Sequence, residues 1–175
     1  MSAYLAGFPE PNEYGAPFAG YVAKARPFAN PIAQLKLQLD GILALLRTRD
    51  RTLWLHRYAP GKWSLQELLG HMIDTERIFA CRALRIARGD TTPLPGFDQD
   101  PYVIAAEADQ CDSHNLLAEF EYVRRSTILM CTNLPDAAWT RMGQVGGAPM
   151  STRAMIYITL GHAAHHVEVL RERYL

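Results

Sequence analysis

The sequence has few cysteines and contains no long apolar run. Its three cysteines, Cys81, Cys111 and Cys131, are an odd number without CxxC spacing, which argues against a disulfide framework and suits a reducing compartment. No stretch approaches the roughly 20 uninterrupted apolar residues of a membrane span, and no signal peptide pattern is visible. We therefore expect a cytoplasmic protein that does not enter a membrane.

The chain also lacks an excess of charge of either sign. Lysine and arginine together number 18, as do aspartate and glutamate, so the formal net charge is zero. No run of like charges supplies the basic surface that binding to a phosphate backbone requires, which makes nucleic acid the weakest partner hypothesis. What is present, 175 residues of which 49% are hydrophobic and 21% charged, is typical of one globular domain.

Four segments with helical spacing of apolar residues predict an all-α four-helix bundle with long crossover connections. The first begins at Pro31 after the N-cap Asn30, and the second follows the capping box of Ser64 and Glu67. The predicted helices span residues 31–48, 65–88 and 113–132, and the last runs from Ser151 or Thr152 to the C-terminus. Between them we expect an irregular connection over 90–112, with a short helical turn near 102–108, and a loop or short hairpin over 139–150.

The N-terminal segment is rich in proline, glycine and aromatic residues, so a long regular element is excluded there. We interpret residues 1–29 as an extended arm whose aromatic side chains cover this domain or a partner subunit. Residues 30–175 then form the bundle domain.

Three of the six histidines have a spacing that points to a metal site. His162 and His166 are four residues apart and therefore project from one face of the last helix. If the second and last helices pack face to face, His71 supplies a third nitrogen and leaves a coordination position open for chemistry. The alternative is three hydrogen-bonded histidines at helix interfaces. His165 projects in another direction, and we expect His56 and His114 at the surface.

Asp74 lies three residues after His71 on the same helix face. It could orient the second nitrogen of His71 or accept a proton from a metal-bound group, which makes it the candidate catalytic residue. A carboxylate that is exposed or paired with a nearby arginine such as Arg77 is the alternative. We expect the three cysteines to be small buried residues.

Several segments together resemble the DinB-like superfamily in its YfiT-related branch. They run in the family's order over residues 30–175: GKWSLQELLGHMIDTE, RALRIARGD, PLPGFDQDPYV, LPDAAWTRMG and GHAAHHVEVLRERY. The most telling are W-S-x-x-E-x-x-x-H at the start of the second helix and H-x-x-H-H in the last helix.

The resemblance implies a homodimeric four-helix bundle that binds one divalent metal. The family's ligands fall on His71, His162 and His166, the residues that spacing selects. Zinc and nickel are the leading metals, with manganese and iron as further candidates. Family members act as hydrolases, or as transferases and isomerases that use low-molecular-weight thiols such as bacillithiol, mycothiol or glutathione.

The sequence thus leads to two functional hypotheses. The first is a metal-dependent thiol transferase or hydrolase that acts on a small-molecule substrate. The second is a non-catalytic helical binding or stress-response protein with a structural metal or none. The sequence does not identify the substrate.

Overall fold

The structure, a computed structural model, describes residues 6–175 and is mostly helical. None of the helices in this range is both long enough and apolar enough to cross a membrane. In chain order the elements are α1 (Ala19–Ala25), α2 (Pro31–Leu46), α3 (Arg51–Trp54), α4 (Leu65–Ala87), α5 (Gln99–Ala106), α6 (Ser113–Thr132), β1 (Met142–Val145), β2 (Ala148–Ser151) and α7 (Thr152–Val169), which continues as a π-helical turn over Leu170–Tyr174.

The starts of the long helices are fixed by side chains that accept hydrogen bonds from free backbone N–H groups. Asn30 accepts from the N–H of Ala33 ahead of α2, and Ser64 accepts from that of Glu67 in a complete capping box ahead of α4. Asp112 caps α6 and Ser151 caps α7 in the same way. The four predicted long helices are therefore confirmed, with starts at the predicted residues.

The four long helices form a bundle in which α2 and α4 lie at opposite corners. Both α2 and α4 pack against α6 and against α7. Because the first two long helices, α2 and α4, do not pack against each other, the chain crosses the end of the bundle between them, and it crosses again between α6 and α7. This arrangement confirms the predicted all-α four-helix bundle with crossover connections.

The two long connections contain structure of their own. Strands β1 and β2 pair as an antiparallel hairpin around Gly146 and Gly147, which both adopt positive φ, so the predicted short hairpin is present. Leu94 joins this hairpin through backbone hydrogen bonds with Gln144 and Gly146. The irregular connection over 90–112 also contains α5, which begins earlier than the predicted helical turn.

The prediction of an extended arm over residues 1–29 does not hold throughout, because part of the N-terminal segment is helical. Residues 1–5 of that prediction lie outside the described residues. Beyond them the chain makes two short 3-10 turns, Pro11–Glu13 and Ala16–Phe18, and then α1, which packs along α7. The prolines do exclude a long element, but the seven residues of α1 contain none.

Buried Glu13 anchors this segment to the last helix. Its carboxylate accepts a 2.6 Å hydrogen bond from the hydroxyl of Ser151 and pairs with the guanidinium of Arg153. Farther along, a Cβ added to Gly161 of α7 would lie 1.9 Å from the carbonyl oxygen of Tyr21. The close approach of α1 to α7 therefore requires glycine at position 161.

A buried ion pair lies within the bundle and connects its four long helices. The guanidinium of Arg124 on α6 donates from Nη2 to Oε2 of Glu76 on α4 at 2.7 Å, and both side chains are at most 3% exposed. Nη1 of Arg124 donates to Oε1 of Gln38 on α2 at 3.0 Å, and Nε2 of Gln38 donates to the carbonyl of Leu160 on α7. The network fixes the relative positions of all four helices.

Candidate metal centre

Three buried imidazoles meet where α4 packs against α7. Nε2 of His71 lies 3.0 Å from Nε2 of His162 and 3.2 Å from Nε2 of His166, and the last two nitrogens are 3.1 Å apart. All three side chains are less than 8% exposed. The structure therefore brings together the three histidines that the spacing selected.

This arrangement fits a single metal ion better than a hydrogen-bonded cluster. A hydrogen bond directs one N–H at one acceptor, whereas each Nε2 here faces two others at nearly equal distances. Nitrogen ligands of a tetrahedral ion bound at about 2.0–2.1 Å lie about 3.3 Å apart, close to the observed spacing. Within residues 6–175, no other His, Cys, Asp or Glu side chain joins the cluster. Three protein ligands would leave one coordination position open.

The second nitrogen of His71 faces Thr75. Nδ1 lies 3.4 Å from Oγ1 of Thr75, one helical turn along α4. When Nε2 acts as a ligand, Nδ1 carries the proton and can donate it to this hydroxyl, which fixes the orientation of the ring. Nδ1 of His166 is buried without a hydrogen-bond partner among the described residues.

Asp74, the predicted catalytic residue, lies outside the histidine cluster and lines neither of the two cavities described below. Its Oδ1 is 3.9 Å from Nη1 of Arg77, so the arginine pairing considered from the sequence is present. Partial burial raises the pKa of the Asp74 carboxyl above its ordinary value, and the charge of Arg77 opposes this rise. The contact to Nδ1 of His71 comes from Thr75 instead. A catalytic role of Asp74 stays a prediction.

Aromatic rings hold the imidazoles in place. The ring centroids of Trp63 and His71 are 4.9 Å apart. Tyr21 and Phe79 contact His162 edge to face, with centroid distances of 5.4 and 5.8 Å. Tyr21 lies on α1, and the sequence predicted it only as one of the aromatic residues of the N-terminal arm. Thr75 and Phe79 follow His71 at intervals of four residues, so the helical spacing of α4 could have identified both.

Burial keeps the three imidazoles uncharged at neutral pH. It lowers the pKa of His71 to about 4 and that of His166 to about 3, with charge on His71 and His165 adding to the effect at His166. The pKa of His162 is also well below its ordinary value because of burial and the nearby charges of His166, His71, His165 and Arg124. Neutral imidazoles are the form that binds metals.

These shifts predict that metal-free protein loses stability in mild acid. An unfolded histidine binds a proton below its ordinary pKa of about 6.5. In the folded protein, His71 and His166 bind a proton only near pH 4 and pH 3, so the unfolded state binds more protons between these values. The free energy of unfolding should therefore fall as the pH drops from about 6.5 towards 4, with a slope for each group that approaches about 1.4 kcal/mol per pH unit midway between its unfolded and folded pKa values. Urea unfolding of chelator-treated protein at several pH values measures this slope.

Replacement of a single histidine checks the origin of the slope. His71→Gln should make the pH dependence shallower, because glutamine does not titrate, and His114→Gln should leave it unchanged because His114 is exposed. A His71→Gln variant with the same slope as the wild type would contradict the assignment.

The remaining histidines and the cysteines lie outside the cluster. His56 and His114 are exposed as expected, and the half-buried His165 packs against Tyr21 and His166. The expectation of three buried cysteines is wrong for two of them. Only Cys131 is buried, and burial raises its pKa to about 12, whereas Cys81 and Cys111 are exposed at helix and loop surfaces.

Two cavities reach residues of the histidine cluster. The first, of about 540 Å³, reaches His162 and is walled by α1, α4, the hairpin and the connection that follows α4. The second, of about 850 Å³, reaches His165 and His166. Gln99 and Asp100, at the start of α5, line both cavities. Small molecules can therefore reach His162 through the first cavity and His166 through the second.

Comparison with known proteins agrees with the fold. The family model of the DinB superfamily matches residues 34–170. The solved structure of YfiT from Bacillus subtilis, described as a probable metal-dependent hydrolase with an unusual four-helix bundle topology, is similar with a TM-score of 0.65. The two chains share 14% identity, and the likeness covers 98% of this chain and 94% of that chain. No curated protein sequence matches this chain significantly. Because the family model spans well over half of its length, the chain belongs to the DinB superfamily, as its motifs predicted.

Proposed function

We propose that the protein is a metal-dependent enzyme in which His71, His162 and His166 hold one divalent ion. The observation that supports this most strongly is the convergence of their three buried Nε2 atoms within 3.2 Å of one another beside two open cavities. A divalent ion with an open coordination position lowers the pKa of a coordinated water or thiol and polarises a substrate. Nitrogen donors suit zinc and nickel foremost, with iron and manganese as further candidates.

The neighbouring residues orient and enclose this centre. Thr75 fixes the tautomer and ring orientation of His71 through Nδ1. Trp63, Tyr21 and Phe79 exclude water from the faces of the imidazoles, which strengthens electrostatic interactions at the open position. We propose Asp74 as the proton acceptor, because it lies one turn from His71 on α4 and its partial burial raises its pKa above that of a solvated carboxylate.

The reaction we propose is hydrolysis or thiol transfer on a small-molecule substrate. The YfiT structure, described as a probable metal-dependent hydrolase, supports the hydrolytic form. The two cavities support the transfer form, since His162 faces one and His166 the other, so a low-molecular-weight thiol and an electrophile can approach separately. In either form the nucleophile loses its proton at neutral pH.

Activity assays on metal-loaded protein test this function. Wild-type protein loaded with zinc or nickel should hydrolyse activated esters or join a thiol such as glutathione to an activated aryl halide, and His162→Ala should do neither. Asp74→Asn should reduce the rate by about 10²-fold, the usual contribution of a general base, without loss of metal. Arg77→Gln, which removes the arginine that pairs with both Asp74 and Glu119 but keeps the Asp74 carboxylate, is the matched control and should retain most activity.

The outcome that would favour the non-catalytic hypothesis is equally specific. Stoichiometric metal with no turnover of any thiol or ester substrate, and no displacement of a ligand from the metal by added thiol, would indicate a structural ion.

Two further expectations stay predictions. Light scattering should give the mass of a homodimer, and the three free cysteines agree with residence in the reducing cytoplasm.

A further inference from the structure

We propose that Arg82 binds a carboxylate group of the substrate in the cavity that reaches His162. This inference rests on the proposed function, because it takes His162 to mark the reacting end of that cavity. It specifies the substrate class as a small molecule with an apolar, preferably aromatic, body and a single carboxylate.

Arg82 is a buried cation without a matching anion. Its side chain is 6% exposed, and its described hydrogen bond runs from Nη2 to the carbonyl oxygen of Pro95 at 2.6 Å. Among residues 6–175, no carboxylate oxygen lies within 4.0 Å of its guanidinium. Other arginines of the bundle are paired, such as Arg77 with Glu119 and the buried Arg124 with Glu76. A buried charge without a partner is costly unless a ligand supplies one.

The guanidinium is held in a fixed orientation that leaves donors free. Its central carbon lies 5.4 Å from the ring centroid of Phe97 and 5.9 Å from that of Phe79, within the range of cation–π contacts. The remaining nitrogens, which have no described partner, belong to a side chain that lines the cavity. A planar guanidinium fixed in this way is suited to a carboxylate, whose two oxygens match its paired N–H groups.

The cavity connects this cation with the histidine cluster. His71, Thr75, Phe79 and Arg82 recur at helical intervals along one face of α4. The ring of Phe79 bridges the two ends, since it contacts the ring of His162 at 5.8 Å and the guanidinium of Arg82 at 5.9 Å. Aromatic side chains also form the walls: Phe18, Tyr21 and Phe97. A ligand can therefore place its carboxylate at Arg82, its apolar body between the rings and its reacting atom at His162.

The charges in the cavity favour a monoanion over a phosphate. Arg82 is its only arginine or lysine among the described residues, and the carboxylates of Asp98 and Asp100 also line it. A phosphate carries nearly two negative charges at neutral pH, so it would be repelled by these aspartates with one arginine to balance them. A carboxylate carries a single charge, so the aspartates repel it less strongly than a phosphate, and one guanidinium suffices to pair with it.

Titration calorimetry with benzoate, benzamide and inorganic phosphate tests the inference. Wild-type protein should bind benzoate more tightly than the neutral benzamide or phosphate. Arg82→Met should weaken benzoate binding at least about tenfold and leave benzamide binding unchanged, because only the charged contact is lost. The benzoate affinity of Arg82→Lys should lie between those of the wild type and Arg82→Met, since lysine keeps the charge without the paired N–H groups. Arg85→Met, on the same helix but paired with Asp90, is the matched control and should bind benzoate as the wild type does.

Two sets of conditions separate this inference from the proposed function. Each titration is run on chelator-treated and on zinc-loaded full-length protein, with metal content measured by elemental analysis. Arg82-dependent benzoate binding in both states supports the inference even if no metal is retained. It is overturned if benzoate binds Arg82→Met as tightly as the wild type, if wild-type protein prefers phosphate, or if it binds no benzoate. A fall in thermal stability of Arg82→Met with unchanged benzoate affinity would assign Arg82 only to holding the connection at Pro95, which also overturns it.

Discussion

Replacement of Arg124 by methionine is expected to destabilise the folded protein by about 3–5 kcal/mol. The substitution would leave the carboxylate of Glu76 buried at 3% exposure without its cation. It would also remove the donor to Gln38, which connects α6 to α2 and, through the carbonyl of Leu160, to α7. Oε1 of Glu76 has no hydrogen-bond partner among the described residues, so no second donor compensates the loss. Urea unfolding at pH 7 measures the change.

Two further variants separate burial of charge from loss of packing. Arg125→Met, one residue farther on, removes an exposed pair with Glu121 and should cost less than about 1 kcal/mol. The double variant Glu76→Leu with Arg124→Met should recover much of the lost stability, because it removes the unpaired charge as well. An Arg124→Met protein as stable as Arg125→Met would show that the network contributes little to the fold.

Substitution of Gly161 by alanine is expected to cost at least about 2 kcal/mol by forcing α1 away from α7. The added Cβ would lie 1.9 Å from the backbone oxygen of Tyr21 and 2.5 Å from its carbonyl carbon. Backbone atoms cannot relieve this clash by a rotamer change, as a side chain could. Because Tyr21 packs against the ring of His162, the displacement should also weaken zinc binding. Urea unfolding and zinc titration test the two effects.

Gly41 provides the matched control for this substitution. It lies in the middle of α2, and a Cβ there would meet nothing within 4 Å. Gly41→Ala should therefore be neutral or stabilising by up to about 1 kcal/mol, since alanine favours the helix. If the Gly161→Ala and Gly41→Ala variants had the same free energy of unfolding, this would contradict the close packing of α1 on α7.

The sequence allowed the bundle to be predicted because its long helices carry local signals. Asn30 and the pair of Ser64 and Glu67 mark helix starts with side chains that act on their own backbone. The spacing of His162 and His166 likewise depends only on the geometry of one helix. His71 required the further assumption that α4 faces α7, which the resemblance supported and the structure shows.

Other parts of the site could not be predicted because they depend on contacts between distant segments. Tyr21 reaches His162 through the packing of α1 at Gly161, and no local pattern in the proline-rich N-terminal segment indicates this contact. Arg82 has ordinary surroundings in sequence, and only the folded connection at Pro95 and Phe97 shows that it lacks an anion. The residue that contacts Nδ1 of His71 is Thr75, whereas the sequence pointed to the charged Asp74.

Metal content tests the central claim most directly. Protein purified without a metal-affinity tag is compared by elemental analysis with His71→Ala, His162→Ala, His166→Ala and the surface variant His114→Ala. We expect about one divalent ion per chain in the wild type and in His114→Ala, and loss of the ion from each of the three cluster variants. Wild-type protein that holds no metal, even after incubation with zinc, nickel, manganese or iron, would contradict the account and leave three packed imidazoles in the bundle.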